Sequence, residues 1–388
     1  MTVYDRVRAE IGRQADELWR ISLLLHDNPE LAFEEKLACA TLVAALSDAG
    51  FEMEHGVASL PTAFRARWGT GAPPRVALLL EYDALPGLGH ACGHNLIATA
   101  GLGAALAVRH ALPDLDGTLM VVGTPAEEGG GGKVLELKSG VFDGIEAALM
   151  FHPGVHDWRY APLTAQIEVG VRFHGRAAHP TGNPTEGVDA LAALVQLFTA
   201  LAMLRSRLPL GSHVQGIVTD GGTATNIVPE LAEGRFGVRG LTTAARDDLV
   251  AQLTECAHGV AQATGTTVEV WPASGGYQHV RDNATLSATF ARHISESGIT
   301  LTEPTPGVFL GSSDIGDVSN TVPAIHPFVA ITDPDQSDHT PEFAAAAAGP
   351  RGRAVMLAAA QALAGTAVDL LTRPDLLGRA WQDFHAAG

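Results

Sequence analysis

In the first fifty residues apolar positions recur at three- and four-residue spacing, which predicts helices on either side of a DNPELAFEE loop. The period then changes. RVALLLEY (75–82), TLMVVGT (118–124) and EAALMF (146–151) are short apolar runs of the kind that form strands buried on both faces. Alanine-rich helical stretches at 96–111 and 132–140 separate them. This alternation predicts an α/β fold, a mostly parallel sheet flanked by helices. Near residue 165 the pattern switches again. TAQIEVGVRFHG alternates apolar and polar residues like a strand with one exposed face. A helix over 187–207, the strands HVQGIVT and EGRFGVRG, a helix over 243–263 and the strand TTVEVW come next. The order βαββαβ predicts a compact ferredoxin-like sandwich. After about residue 280 the first style returns, with a helix, a GSSDIGDVS loop, the strand AIHPFVAI and a long C-terminal helix. The simplest organisation is a small domain, 165–278, inserted into a larger one made of 1–164 and 279–388, and 388 residues is a length that suits two domains.

Composition narrows the class. With 46% hydrophobic and 18% charged residues the chain is an ordinary globular one. Its 25 basic and 43 acidic residues give a net charge of −18, which argues against a nucleic-acid partner, since phosphate binding needs clustered Lys and Arg. Apolar runs such as AALMF are too short to span a bilayer, so no membrane association is expected. The mixed-charge N-terminus does not read as a signal peptide. Three widely spaced cysteines, Cys39, Cys92 and Cys256, do not suggest a disulfide framework. The expectation is a reduced, cytoplasmic protein.

Packing alone does not account for the residues after the first buried strand. LLLEYDALPGLGHACGHN ends a strand in Glu81 and Asp83, then presents His90, Cys92 and His94 across a glycine-punctuated loop. Three other stretches place metal-ligand types just after apolar runs: Glu127 and Glu128 in VVGTPAEEGGGG, His152 in ALMFHPG, and His339 in DQSDHTPEF. In open parallel sheets ligands bind at the carboxyl ends of strands, so loops distant in sequence can converge. Each feature has a plainer reading, such as a buried cysteine with a satisfied histidine, an acidic turn, or a surface histidine. The glycine run lacks the Lys-Ser or Lys-Thr ending of a phosphate loop, and no second close ligand pair supports a zinc finger. Four such coincidences at successive strand ends are much harder to dismiss together.

These motifs, with HGRAAHPTGNPTEGVDAL, GGTATNIVPE and SSDIGDVS, run over nearly the whole chain. The sequence resembles the two-metal amidohydrolases and metallopeptidases that include aminoacylases, glutamate-releasing carboxypeptidases, succinyl-diaminopimelate desuccinylases and auxin-conjugate hydrolases. EYDALPGLGHACGHN is most similar to the p-aminobenzoyl-glutamate hydrolase and β-alanyl dipeptidase branch. The resemblance implies a zinc-exopeptidase-like catalytic domain with an inserted dimerisation domain, and a homodimer or higher homo-oligomer. It implies two divalent ions per subunit, zinc by the softness of the donors or manganese. Cys92 would bridge them, with His94 and Glu128 completing one and His152 and His339 the other. Glu127 would be the general base toward metal-activated water, and Asp83 would hold His94 in its ligating tautomer. His90 would not be a ligand.

From the inserted domain, His179 would stabilise the tetrahedral oxyanion across a dimer interface. Asn226 and Arg239 would grip the substrate carboxylate, helped by backbone donors at Gly311 and Ser312. Two departures stand out. Glu81 occupies the position of a ligand histidine in the carboxypeptidase branch, for which the Cys92/His94 pair would substitute here, and Asn95 stands where many relatives carry Asp. The implied activity is hydrolysis of the amide in N-acyl amino acids or dipeptide-like substrates with a free carboxylate. A dipeptidase or carboxypeptidase on true peptides, and a metal-stabilised binding protein without turnover, are the alternatives.

Overall fold

The computed structural model describes residues 1–183 and 185–386; Pro184, inside the motif around His179, lies outside the described residues. In chain order the strands are β1 (Glu52–His55), β2 (Phe64–Gly69), β3 (Arg75–Glu81), β4 (Thr118–Thr124), β5 (Ala147–Leu149) and β6 (His152–Gly154), then β7 (Ala165–His174), β8 (His213–Asp220), β9 (Leu231–Gly240) and β10 (Thr267–Pro272), and last β11 (Ala324–Ile325) and β12 (Phe328–Ala330). The helices are α1 (Val3–Asp27), α2 (Lys36–Asp48), α3 (His94–Ala111), α4 (Gly132–Lys138), α5 (Ala190–Arg205), α6 (Thr243–Thr264), α7 (Ala284–Ser295), α8 (Ile315–Ser319), α9 (Pro341–Ala347), α10 (Pro350–Thr372) and α11 (Pro374–Ala386). The chain folds as two compact units, one of residues 1–162, 280–305 and 313–388 and one of 163–279 and 306–312. The return of 306–312 to the second unit has no hydrophobic period to announce it.

The first unit is built on a sheet of order β1-β2-β4-β3-β5-β11. Its centre is parallel, with β3 between β4 (Arg75 opposite Thr118) and β5 (Val76 opposite Ala147). Leu78, Leu79 and Leu80 are all buried, as a strand covered on both faces requires. The β1–β2 hairpin, antiparallel and edged by Glu–Arg pairs, has no counterpart in the hydrophobic pattern, because EMEH carries no apolar run. AIHPFVAI is not one strand. It breaks at His326–Pro327 into β11 and β12, which pair with β5 and β6 respectively, since proline has no N–H to continue a ladder. The expected long C-terminal helix is three, each of α9, α10 and α11 beginning on a proline. α10 is long and apolar enough by composition to cross a bilayer, against the expectation from the runs, yet it is mostly buried against α1, α3 and α7 as a core helix.

Asp369 of α10 ties this core to its surroundings. Its buried carboxylate accepts from Tyr4 Oη (2.8 Å), His293 Nε2 (2.8 Å) and the Arg292 guanidinium. Burial alone would raise its pKa, but these donors hold it down at about 2. A carboxyl whose folded pKa lies below its unfolded value stabilises the fold above the unfolded value and loses that contribution as pH falls toward the folded one. Asp369→Asn is therefore expected to cost about 2 kcal/mol near neutral pH, the difference from wild type closing between about pH 4 and pH 2. Urea unfolding of both proteins across that range checks it.

The second unit has strand order β10-β7-β9-β8, antiparallel throughout, with α5 and α6 packed on it. This is the βαββαβ topology predicted. Phe173, Phe236, Leu197 and Leu253 sit in its core. One strip stays uncovered. Val195, Thr199 and Met203 on α5, and Ile217 and Val218 on the edge strand β8, are exposed.

Candidate metal centre

Because β3 and β4 are parallel and in register, with Glu81 opposite Thr124, the loops after them leave the sheet side by side. The first loop turns at Gly93, whose φ of 77° caps α3 and whose missing Cβ leaves room for Pro153, 2.5 Å from where that carbon would lie. Cys92 and His94 flank it, the latter as the first residue of α3. The second loop carries Glu127 and Glu128 immediately after Ala126, which sits at φ 59°. His339 likewise sits at φ 56°. Left-handed backbone at non-glycine residues is strained and has to be held by its surroundings. For Ala126 the holder is Glu35, a fully buried carboxylate whose Oε1 accepts from the N–H of Ala126 (2.9 Å) and of Phe33 (2.8 Å). Glu35 lies in the DNPELAFEE loop, where no sequence signal marks it as functional; a buried acid there is invisible until its partner 91 residues away is known.

The donor atoms converge. Cys92, His94 and His152 form one group within 4.8 Å of each other, and Cys92, Glu128 and His339 form another. Cys92 is common to both, while His94 falls with His152 and Glu128 with His339, a different division from the one the resemblance implied. A third group joins His94 to Glu127 and Glu128. Asp83 organises both sides. Its Oδ1 accepts from His94 Nδ1 (3.0 Å) and its Oδ2 from the backbone N–H of Glu128 (2.9 Å). His152 spends Nδ1 on the carbonyl of Pro153 (2.6 Å) and lies flat on Phe328, which leaves Nε2 facing Cys92 Sγ at 3.5 Å.

The fit to divalent cations rests on what these atoms lack. His94 Nε2 and Glu128 Oε1 are buried without a hydrogen-bond partner, and buried polar atoms ordinarily have one. Burial and the Glu128 carboxylate push the Cys92 thiol well above its ordinary value. Burial and the carboxylates of Glu81, Asp314 and Glu128 push Glu127 well up as well. Such a crowd of anionic donors is relieved by cations in their midst, which would also deprotonate the thiol.

Other residues of the site have plainer places. His90 is buried and held neutral, its pKa lowered to about 3 by burial and the nearby His94, with its ring stacked toward His26. Asn95 donates to Ser22 Oγ (2.9 Å), joining α3 to α1 inside the core. His326, also unforeseen, is buried 5.3 Å from His152, ring centre to ring centre.

The family model described as Peptidase family M20/M25/M40 matches residues 77–362. The chain belongs to this family. It is 37% identical to the Xaa-Arg dipeptidase of Mus musculus over 98% of this chain and 91% of that one. It is 36% identical to a p-aminobenzoyl-glutamate hydrolase subunit of Escherichia coli (strain K12) over 66% of this chain and 56% of that one. A dinuclear metal-binding peptidase of the M20 family from Bacillus subtilis shares its fold, with a TM-score of 0.74 at 22% identity over 93% of this chain and 99% of that one. This M20 member is thus a metal-dependent hydrolase of amide bonds.

In the second unit, Arg239 donates to Ser312 Oγ (2.6 Å), and Thr164 donates through N and Oγ1 to the carbonyl of Gly311 (3.0 Å each). Gly311, Ser312 and Arg239 therefore form one cluster there, with Thr164 an addition. His179 and Asn226 stand on exposed loops of the same unit. His179 Nδ1 accepts from the N–H groups of Thr181 (3.2 Å) and Gly182 (3.0 Å), which fixes the proton on Nε2.

Proposed function

We propose that this hydrolase holds two divalent ions per subunit and cleaves dipeptides or N-acyl amino acids with a free carboxylate. The observation that carries the reading is the convergence of five donors, Cys92, His94, Glu128, His152 and His339, around buried atoms that lack hydrogen-bond partners. Cys92 would bridge, with His94 and His152 on one ion and Glu128 and His339 on the other. A thiolate and three imidazoles suit zinc, with manganese the second candidate. When bound, such ions polarise a carbonyl oxygen and acidify water.

The protein's own groups supply the rest. Glu127, a carboxyl with raised proton affinity, takes a proton from the attacking water and hands it to the leaving nitrogen. Asp83 keeps the proton of His94 on Nδ1, so that Nε2 is the donor. Arg239, with Ser312, Gly311 and Asn226, anchors the substrate carboxylate, for which a guanidinium is suited by its paired donors. His179 presents Nε2–H to the developing oxyanion of the partner subunit's site, and the exposed apolar strip of α5 and β8 supports a homodimer formed through the second unit. A net charge of −18 concentrates cations around the molecule, and the Xaa-Arg dipeptidase relative favours dipeptides ending in a basic residue among the candidates.

A hydrolysis screen tests the reading: dipeptides with basic, acidic and apolar C-terminal residues beside N-acyl amino acids, each with zinc, manganese or cobalt. Absence of any hydrolysis above a Glu127→Gln background would overturn it. For the centre itself, Cys92→Ala is expected to lose at least one of the two ions by elemental analysis of the purified protein. Unchanged stoichiometry removes Cys92 from the centre.

A further inference from the structure

Beside the donors lies a second charged group that the hydrolytic reaction does not use. Glu81 at the end of β3, Lys133 in the first turn of α4 and Asp314 before α8 are all fully buried. Lys133 Nζ donates to Glu81 Oε1 and to Asp314 Oδ1 (2.7 Å), and its backbone N–H donates to Asp314 Oδ2 (3.0 Å). One buried ammonium needs one carboxylate for neutrality, and a pair would satisfy packing and charge. Here there are two, so the group carries a net charge of −1 inside the protein.

The surplus charge has a direction. Glu81 Oε2 has no hydrogen-bond partner, nor has His94 Nε2, and these two buried atoms face each other at 3.7 Å. That is too long for a hydrogen bond. It is close to the edge of a four-coordinate site, about 3.4 Å for donor distances of about 2.1 Å.

We propose that Glu81 is a further carboxylate donor beside His94 in the metal centre, and that Lys133 is the positioning residue that aims it by holding Oε1. Asp314 anchors Lys133 and so ties the 313–319 segment to the centre. The proposal rests on the two-ion reading of the centre and goes beyond its five donors.

Two variants of equal charge change separate this role from a structural one. Glu81→Gln and Asp314→Asn each neutralise the triad while keeping an oxygen for Lys133. Both are compared with wild type and Cys92→Ala as chelator-stripped full-length chains, titrated with zinc alone and melted with and without it. A donor role predicts that Glu81→Gln weakens zinc binding by at least tenfold to a hundredfold, roughly the loss that accompanies a disturbed ligand shell, and shrinks the zinc-induced rise in Tm. Asp314→Asn should retain zinc affinity within a few-fold. The double variant Lys133→Met/Asp314→Asn keeps the net charge of −1 but frees Glu81, and should bind zinc more weakly than Asp314→Asn alone. Equal zinc affinity in Glu81→Gln and wild type, with Cys92→Ala defective as expected, overturns this proposal only. Wild type that takes up no zinc overturns the centre itself, and with it this inference.

Discussion

Glu127→Gln is expected to keep its fold and its metal and to lose turnover by about two to four orders of magnitude, the usual worth of a positioned general base. Glutamine matches the shape of glutamate, and the partnerless buried oxygen belongs to the neighbour, Glu128. In the proposed reaction the substitution removes the carboxyl that carries a proton between water and the leaving nitrogen. Glu128→Gln should do the reverse, weakening metal retention first and turnover as a consequence. Single-turnover rates and metal content, measured together on both variants, separate the roles. If the two phenotypes are exchanged, the roles within the pair are exchanged too.

Mixing inactive variants is expected to restore activity. In the proposed dimer each site takes Glu127 from one subunit and His179 from the other, so Glu127→Gln and His179→Ala homodimers are each nearly inactive. After subunit exchange half of the dimers are hybrids, and each hybrid has one site with both wild-type residues. Activity should return to roughly a quarter of wild type by this symmetry counting. Native mass spectrometry on subunits of distinguishable mass confirms the exchange. Hybrids without activity would place His179 in its own subunit's chemistry or outside the reaction.

What could be read before folding was whatever local pattern carries. β3 and β4 were legible because runs of Leu and Val buried on both faces have few other uses, and the ligand types were legible because they come directly after such runs. The ferredoxin-like unit declared itself through alternation. What stayed hidden was relational. Lys133 reads as the end of a glycine loop until Glu81 and Asp314 meet it from 52 and 181 residues away. Glu35 reads as one acid among several until it holds the backbone before Glu127. The grouping of the donors depends on distances within the folded chain, and adjacency in HACGH carries no information at that scale.

The first unit is discontinuous, and that has a consequence for its biogenesis. β5 acquires its outer neighbour β11, and α3 its neighbour α10, only after the ribosome has made the whole of 163–279. The intervening unit is complete in sequence apart from 306–312 and can collapse early on local contacts. The N-terminal half must meanwhile wait with the apolar flank of α3 bare and an unpaired strand edge at β5. Nascent chains in this interval are the species most exposed to misassociation, and chaperone demand should peak there, before the last hundred residues emerge from the exit tunnel.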